Sequence, residues 1–357
     1  MSIKEGAKIA GVSVSTASRV LRDPDHHCSS EEVRQRILQA ARELDYVPNE
    51  AARSLKSGKT GAKQVYYIDI LLTRVISDEN DPFFTELLRL AEIEIRRNNC
   101  IVSNIWYRNN FSNEKYCMSE NAEDDVAKLY QNREHKSGGL IIIGKCCSRV
   151  LKALEKHEKN IVSINRNSTN YEVDEVLCDG RKIALLAIEQ LVKFGHTKIG
   201  YVGDCHNEMR FIGYQEALTK YRLDSDIDYI FDTLPSEEHG YKAMEYFLKQ
   251  PNQPTGIYCA NDILAVGMLK CLNKRRNRYY TPSVVSSDDI AEAQFTKPML
   301  TTVSLPKGEM VRFALILLLD RIAGGHKTIS RLEVEGTLVL RESCLPVSKA
   351  NEPEYYI

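Results

Sequence analysis

At 357 residues the chain is longer than one hydrophobic core usually organises, so two or three domains are expected. Hydrophobic residues make up 43% and charged residues 27%, which excludes a disordered or fibrous polymer, and a formal net charge of −1 means that any nucleic-acid contact must be local. The longest apolar run, Phe313 to Leu319, is far short of the ~20 residues of a membrane span.

In chain order, Ile3, Ala7, Ile9 and Ala10 fall at helical spacing and stop at Gly11. A second short helix starts after Ser13 and runs from Val14 to Leu21, before Asp23-Pro24 ends it. The connector is Gly11-Val12-Ser13, so the pair has helix-turn-helix geometry. Ser29 or Ser30 caps a third helix whose apolar stripe is Val33, Ile37, Leu38, Ala41 and Leu44. Asn49 can cap a further helix over Glu50 to Lys56, which has almost no apolar face. At about seven residues it is marginal in water and should form only against a partner.

From Lys63 onward short continuous apolar runs alternate with amphipathic stretches. The runs are Val65–Leu72, Ile101–Ile105, Gly139–Ile143, Ile161–Ile164, Ile199–Val202, Gly256–Cys259 and Val284–Val285. Between them lie the helical segments Phe83–Arg97, Lys182–Phe194, Met209–Tyr221, His239–Lys249 and Asp262–Lys274. This pattern predicts an α/β body of two doubly wound parallel-sheet lobes, the second starting near Gly180. Ten cysteines form no CxxC pair, so free buried thiols are expected, and the dispersed histidines predict no metal site. No GxGxxG or GxxxxGK[ST] follows a strand and no nucleophile stands beside a matched base, so neither an enzyme nor a cofactor is expected.

The run Ala10-Gly11-Val12-Ser13-Val14-Ser15-Thr16-Ala17-Ser18-Arg19-Val20-Leu21 closely resembles the helix-turn-helix of the lactose/galactose repressor family. Tyr46-Val47-Pro48-Asn49 with Ala52-Arg53-Ser54-Leu55-Lys56 is similar to that family's hinge helix. Lys193 to Gly200, Arg210 to Tyr214, Cys259-Ala260-Asn261-Asp262, Asp288-Asp289-Ile290, Pro298 to Val303 and Arg341-Glu342-Ser343 continue the likeness in family order. The resemblance implies residues 1–47 as a helix-turn-helix head, 48–62 as hinge helix and linker, 63–345 as a periplasmic-binding-protein-like effector and dimerisation body, and 346–357 as a tail. It also implies a cytoplasmic repressor of a carbohydrate-utilisation operon, a homodimer that binds double-stranded operator DNA and releases or holds it according to a small-molecule effector.

A recognition helix must offer short polar or donor side chains to base edges, and Val14, Ser15, Thr16 and Arg19 stand at that position. Arg19 can read guanine or be a solvated surface residue. In the family a hinge leucine wedges into the central base step, and Leu55 occupies that place; it can instead pack on the third helix. Asn49, Ala52, Arg53 and Lys56 complete the expected DNA-contacting set, and the phosphate charges make affinity fall with salt.

Ligands of doubly wound sheets sit beyond the carboxyl ends of strands. The residues expected there are Asp81, Phe83, Asn165, Arg166, Arg210, Asn261 and Asp288, with Arg210 and Asp288 assigned to the ligand by resemblance. Planar Arg and Asp groups suit paired hydroxyls and Phe83 suits the apolar face of a sugar, so a saccharide is expected. Asp262 can cap its helix or contact the ligand, and Asp289 can be a loop carboxylate or contact it. Whether the effector induces or co-represses is left open. A solute-binding protein without a regulatory role would share the two-lobed body, but would need an export signal, and the amino terminus carries no apolar signal core.

Overall fold

The computed structural model describes residues 7–21, 30–43, 65–74, 81–119, 121–131, 137–170, 172–206, 208–275 and 280–349. The chain divides into two compact units, Met1–Gln64 and Val65–Ile357. The hinge residues Asn49, Ala52, Arg53, Leu55 and Lys56 lie outside the described residues.

In the first unit residues 7–9 are helical and lead into the turn. Gly11 adopts φ +66°, a left-handed conformation that glycine reaches without the steric cost of a Cβ. The amide of Val12 donates to the Ala7 carbonyl (3.0 Å), closing the first helix. Ser13 is extended and caps α1 (Val14–Val20), its Oγ accepting from the Thr16 amide at 3.0 Å. Ser30 caps α2 (Glu31–Glu43), its Oγ accepting from the Val33 amide at 3.3 Å; Ser29 lies outside the described residues. The core is Ala7, Ala10, Ala17, Val20, Ile37 and Ala40, with Val33 packed against it. Three-residue alanine spacing lets short helices approach closely. Leu38 and Ala41, expected on the inward stripe, are only half-buried, because the face turns toward Ala40 instead.

The second unit holds two six-stranded sheets. Lobe 1 is built on β1 (Tyr67–Leu72), β2 (Ile101–Tyr107), β3 (Gly139–Ile143), β4 (Ile161–Asn165), β5 (Asp174–Leu177) and β11 (Arg331–Glu333), in the spatial order β11-β5-β4-β3-β1-β2. All of its pairings are parallel. Lobe 2 is built on β6 (Ile199–Gly203), β7 (Ile230–Asp232), β8 (Gly256–Cys259), β9 (Ser283–Asp288), β10 (Thr301–Ser304) and β12 (Thr337–Val339), in the order β12-β10-β9-β8-β6-β7. Only β12 is antiparallel to its neighbour there.

The central strands are buried on both faces, which is why their sequences read as continuous apolar runs. In lobe 1, Ile70, Leu72, Ile141 and Ile143 join the cluster that contains Leu87 and Ile95 of α3 (Pro82–Arg97). Leu71, Leu140 and Ile142 face the opposite side, toward Val126 of a helix over Asn121–Gln131 and Leu151 and Leu154 of one over Ser148–Glu155. A side-chain period of two sorts a single run between two cores. At about 25 cal/mol per Å2 of apolar surface, each such residue contributes on the order of 2 kcal/mol.

The chain crosses between the lobes three times. It leaves β5 for a lobe 2 helix over Gly180–Lys193. It returns from β10 into a helix over Lys307–Ile322, which packs on α3, β3, β4 and β5 of lobe 1. It crosses again between β11 and β12. Strand β5 was not expected from the sequence, so the strand before Arg210 is the sixth rather than the fifth. Its charged residues hid it: Asp174 and Glu175 are buried in the sheet. Asp174 receives Arg321 Nη2 at 2.6 Å, the Ser330 amide at 2.7 Å and His326 Nε2 at 2.8 Å, which offsets the cost of burying its charge. Glu175 accepts from the amide and hydroxyl of Thr169.

The expectation of free thiols throughout is corrected at one place. Cys117 and Cys147 are joined by a disulfide, with α-carbons 6.5 Å apart, within the span a bridge requires. The spacing of 30 residues gave no signal because the loop after β3 brings the two together only in the fold. Cys146, next to Cys147, is a free thiol.

Candidate DNA-reading face and effector cleft

On the first unit, α1 leaves Val14 41% exposed, and Ser15 and Arg19 are exposed as well; Thr16 is half-buried. The hydroxyls of Ser15 and Thr16 lie 2.7 and 2.8 Å from Ser13 Oγ. A hydroxyl both donates and accepts, so the cluster orients these groups while leaving each a further hydrogen bond to offer. Ala17 and Val20, on the opposite side of the same helix, are buried. The face is therefore apolar inward and polar outward, the arrangement a groove-reading helix needs.

On the second unit, the strand ends of the two lobes carry buried charges that pair across the cleft. Arg166 follows β4 and forms an ion pair with Asp288, the last residue of β9, and both side chains are almost fully buried. The Arg166 guanidinium lies 4.6 Å from the centroid of the Phe83 ring. Asp288 adopts φ +123°, a conformation costly for a residue with a Cβ. Lys307 Nζ holds that bend by donating to the carbonyls of Asp288 and Asp289, each at 3.0 Å, and also pairs with Glu86 of α3 at 3.0 Å.

A second set lies beside it. Arg74, after β1, sits 3.4 Å from Glu208 and 3.8 Å from Asp204 of lobe 2. Glu208 precedes a helix over Met209–Tyr221, and Arg210 Nε donates to it at 2.9 Å while Arg210 Nη1 reaches the Ala260 carbonyl. Burial alone would raise the Glu208 carboxyl, but Arg210, then Arg74 and Arg166, overcome it and hold the group well below the usual carboxylate range. Burial lowers the Arg74 guanidinium from its ordinary value, with the charges of Arg210 and Arg166 adding to the effect and Glu208 opposing it. Asp81 is raised by burial and by Asp288, even though its carboxylate accepts from the Phe83 and Phe84 amides as the cap of α3.

The expected residues thus separate into three groups. Phe83, Asn165 and Arg166 line one recess, together with Arg74, Lys145, Asn167 and the apolar side chains of Phe84, Ile164 and Met310. Asp288 reaches that recess through Arg166. Asp81, Arg210 and Asn261 do not line it. Asn261 caps the helix over Asp262–Arg275, accepting from the Leu264 amide at 3.3 Å.

The alternatives for the two acids resolve differently. Asp262 does not cap its helix. It is buried and ties β9 to β10, accepting from Thr302 Oγ1 at 2.6 Å, the Ile290 amide at 2.8 Å and the Ser286 hydroxyl. Burial, with Asp288 adding, pushes its carboxyl up to about 7. Asp289 pairs with Arg341 at 2.7 Å.

Arg74, Lys145, Asn167, Glu208 and Lys307 were missed. The same rule that found the others points to Arg74 and Lys145, each two residues beyond a strand end. Among the described residues, the set closest to a metal site is Asp204, His206 and Asp232 at the ends of β6 and β7, with donor atoms within 4.8 Å of one another; His206 is exposed. No described helix is long and apolar enough to cross a membrane.

Residues 2–49 match the model of bacterial regulatory proteins of the lacI family, and residues 188–344 match a periplasmic-binding-protein-like domain. The chain is 28% identical to the HTH-type transcriptional repressor PurR of Mannheimia succiniciproducens over 358 residues, covering 96% of this chain and 98% of the relative. It is likewise 28% identical to the repressor CytR of Escherichia coli K12 over 362 residues, covering 96% of each. A lac repressor dimer, solved bound to operator and an anti-inducer, superposes with TM-score 0.65 at 20% identity over 97% of this chain and 99% of that one. The amino-terminal match, the two-sheet body and the similarity over nearly the whole length agree in likening the chain to the lacI family of bacterial regulatory proteins.

Proposed function

We propose that the protein is a cytoplasmic, sequence-specific transcription repressor of a carbohydrate-utilisation operon, and that a small molecule held between the lobes of its body sets its affinity for operator DNA. The observation that carries this reading is the outward face of α1, where Ser15 and Arg19 are exposed on a helix fixed from behind by Ala17 and Val20. The division into a head over 1–47, a hinge over 48–62 and an effector body over 63–345 belongs to the same reading. One recognition helix reads only a few base pairs, so a homodimer matching a palindromic operator supplies the second half-site.

Mechanistically, Arg166–Asp288 and Arg74–Glu208 link the two lobes, so a ligand that enters the cleft must replace or retain these pairs. A ligand with different affinity for the linked and unlinked arrangements shifts the population between them. Leu55, on a hinge segment too short to be helical alone, is the group through which that shift reaches the DNA. Chemistry on the ligand is no part of this reading.

The test is fluorescence anisotropy with duplexes from the intergenic region beside the reading frame. The native chain should bind one duplex specifically, with an affinity that falls steeply with salt. Leu55→Ala should lose that specificity while keeping its circular dichroism spectrum. Indifference of the native chain to every such duplex overturns the reading.

A further inference from the structure

The recess between α3, β3 and β4 has a lining whose polar groups are almost all donors. Three cations face it, Arg74, Lys145 and Arg166, and no carboxylate is among its lining residues. The two asparagines that could supply acceptors each have one of their two oxygen lone pairs already engaged. Asn165 Oδ1 accepts from the Arg166 amide at 2.8 Å, and Asn167 Oδ1 accepts from the Met209 amide at 2.9 Å. Because a backbone N–H can donate only to the oxygen, these bonds fix both amides with Nδ2 turned the other way.

A neutral saccharide would be poorly served by such a lining. Its hydroxyls need acceptors as well as donors, and a buried hydroxyl hydrogen without an acceptor costs roughly 1–3 kcal/mol. An oxyanion has the opposite character, since it only accepts and takes charge-assisted bonds from guanidinium and ammonium groups.

The balance of charge runs the same way. The carboxylates that partner the arginines stand behind them, Asp288 behind Arg166 and Glu208 with Asp204 behind Arg74. The Arg74 contacts, 3.4 and 3.8 Å, are long for charge-assisted pairs, and burial together with the neighbouring Arg210 and Arg166 charges works against its guanidinium. An added anion at the recess would offer Arg74 a closer partner than either carboxylate does. Lys145 Nζ lies at the rim, 3.4 Å from the His206 carbonyl, within reach of a group entering from solvent. Phe83, Phe84 and Met310 supply apolar surface beside the cations, with the Arg166 guanidinium over the Phe83 ring.

We propose that the effector is an anionic saccharide, one that carries a compact oxyanion such as a phosphate or a carboxylate, bound with that group between Arg74, Lys145 and Arg166. This rests on the reading of the body as an effector receptor and narrows the chemical class of what it receives.

Calorimetric titration of the full chain with glucose, glucose 6-phosphate, glucuronate and inorganic phosphate tests it. The anionic sugars should bind at least tenfold more tightly than glucose, and inorganic phosphate should compete with them. The sugar phosphate and the sugar acid separate the two sources of the charge by their relative affinity. Lys145→Gln, at a half-exposed position, should weaken the preferred anion about tenfold; Arg74→Gln should weaken it further, with Glu208 still paired to Arg210. Glucose binding as tightly as its phosphate, or anion binding untouched by both substitutions, overturns the proposal. Operator binding measured on the same preparation keeps the two readings apart: a chain that binds its operator but ignores every anion defeats only this inference, whereas a chain that binds anions but no operator defeats only the repressor reading.

Discussion

The head and the body place their functional groups in opposite circumstances. On α1 the groups that would touch a partner, Val14, Ser15 and Arg19, face solvent, and stability comes from a separate small core of alanines with Val20 and Ile37. In the body Arg166, Asp288, Glu208 and Arg210 are buried and already bonded to one another. The head's surface can therefore be altered with little effect on its fold, because recognition and packing use different faces. In the body Arg166, which lines the recess, also holds the lobes through Asp288, so function and stability are hard to separate there.

Arg210→Ala should have the largest effect, since it strips a buried carboxylate of its closest cation. A loss of about 3–5 kcal/mol is expected, read as a fall of roughly 10 °C in melting temperature by calorimetry. An unchanged melting temperature would mean that the buried charges are not coupled to the fold, and the contrast with the head would collapse.

Next comes Asp262, whose carboxyl is raised to about 7. A group with a folded value above its unfolded value of ~4 contributes stability below pH ~4, and this is lost as pH rises through the folded value. Urea midpoints of the native chain should therefore decline between about pH 4 and 7, and Asp262→Asn should flatten the decline.

Arg19→Ala sharpens the comparison from the other side. It should reduce operator affinity by about 1–3 kcal/mol, roughly five- to a hundredfold in anisotropy titrations, with no change in melting temperature. Ser13→Ala should have the smallest effect, about 1 kcal/mol through loss of the cap on α1, seen as faster amide exchange at Thr16 while body amides keep their protection.

The parts legible in the sequence are those set by local rules. Gly11 and Ser13 mark the turn and cap of α1, and the apolar runs of β1, β3, β4, β6 and β8 announce strands covered on both faces. The strand-end rule likewise brought Phe83, Asn165 and Arg166 to one recess. The parts that were not legible depend on partners distant in the chain. Strand β5 looked like a loop because Asp174 and Glu175 are tolerated only through Arg321, His326 and Thr169. Arg74 gains meaning only beside Glu208, 134 residues away, and Cys117 only beside Cys147. The helix over Lys307–Ile322 carries an almost unbroken apolar run, which gives no periodic stripe and so conceals that it belongs to the first lobe although it follows the second.

The triple crossing between the lobes makes neither of them a continuous length of polypeptide. A fragment ending at Leu177 would lack both the strand that closes its sheet edge and the helix over Lys307–Ile322 that covers its strands, and would leave Asp174 without Arg321. Severing the gene at the apparent boundary near Gly180 would thus yield two pieces that must find each other before either can fold. With three tethers running side by side, the intact body is restricted much as a door is by several hinges on one post: it can swing, but its halves cannot slide or rotate freely.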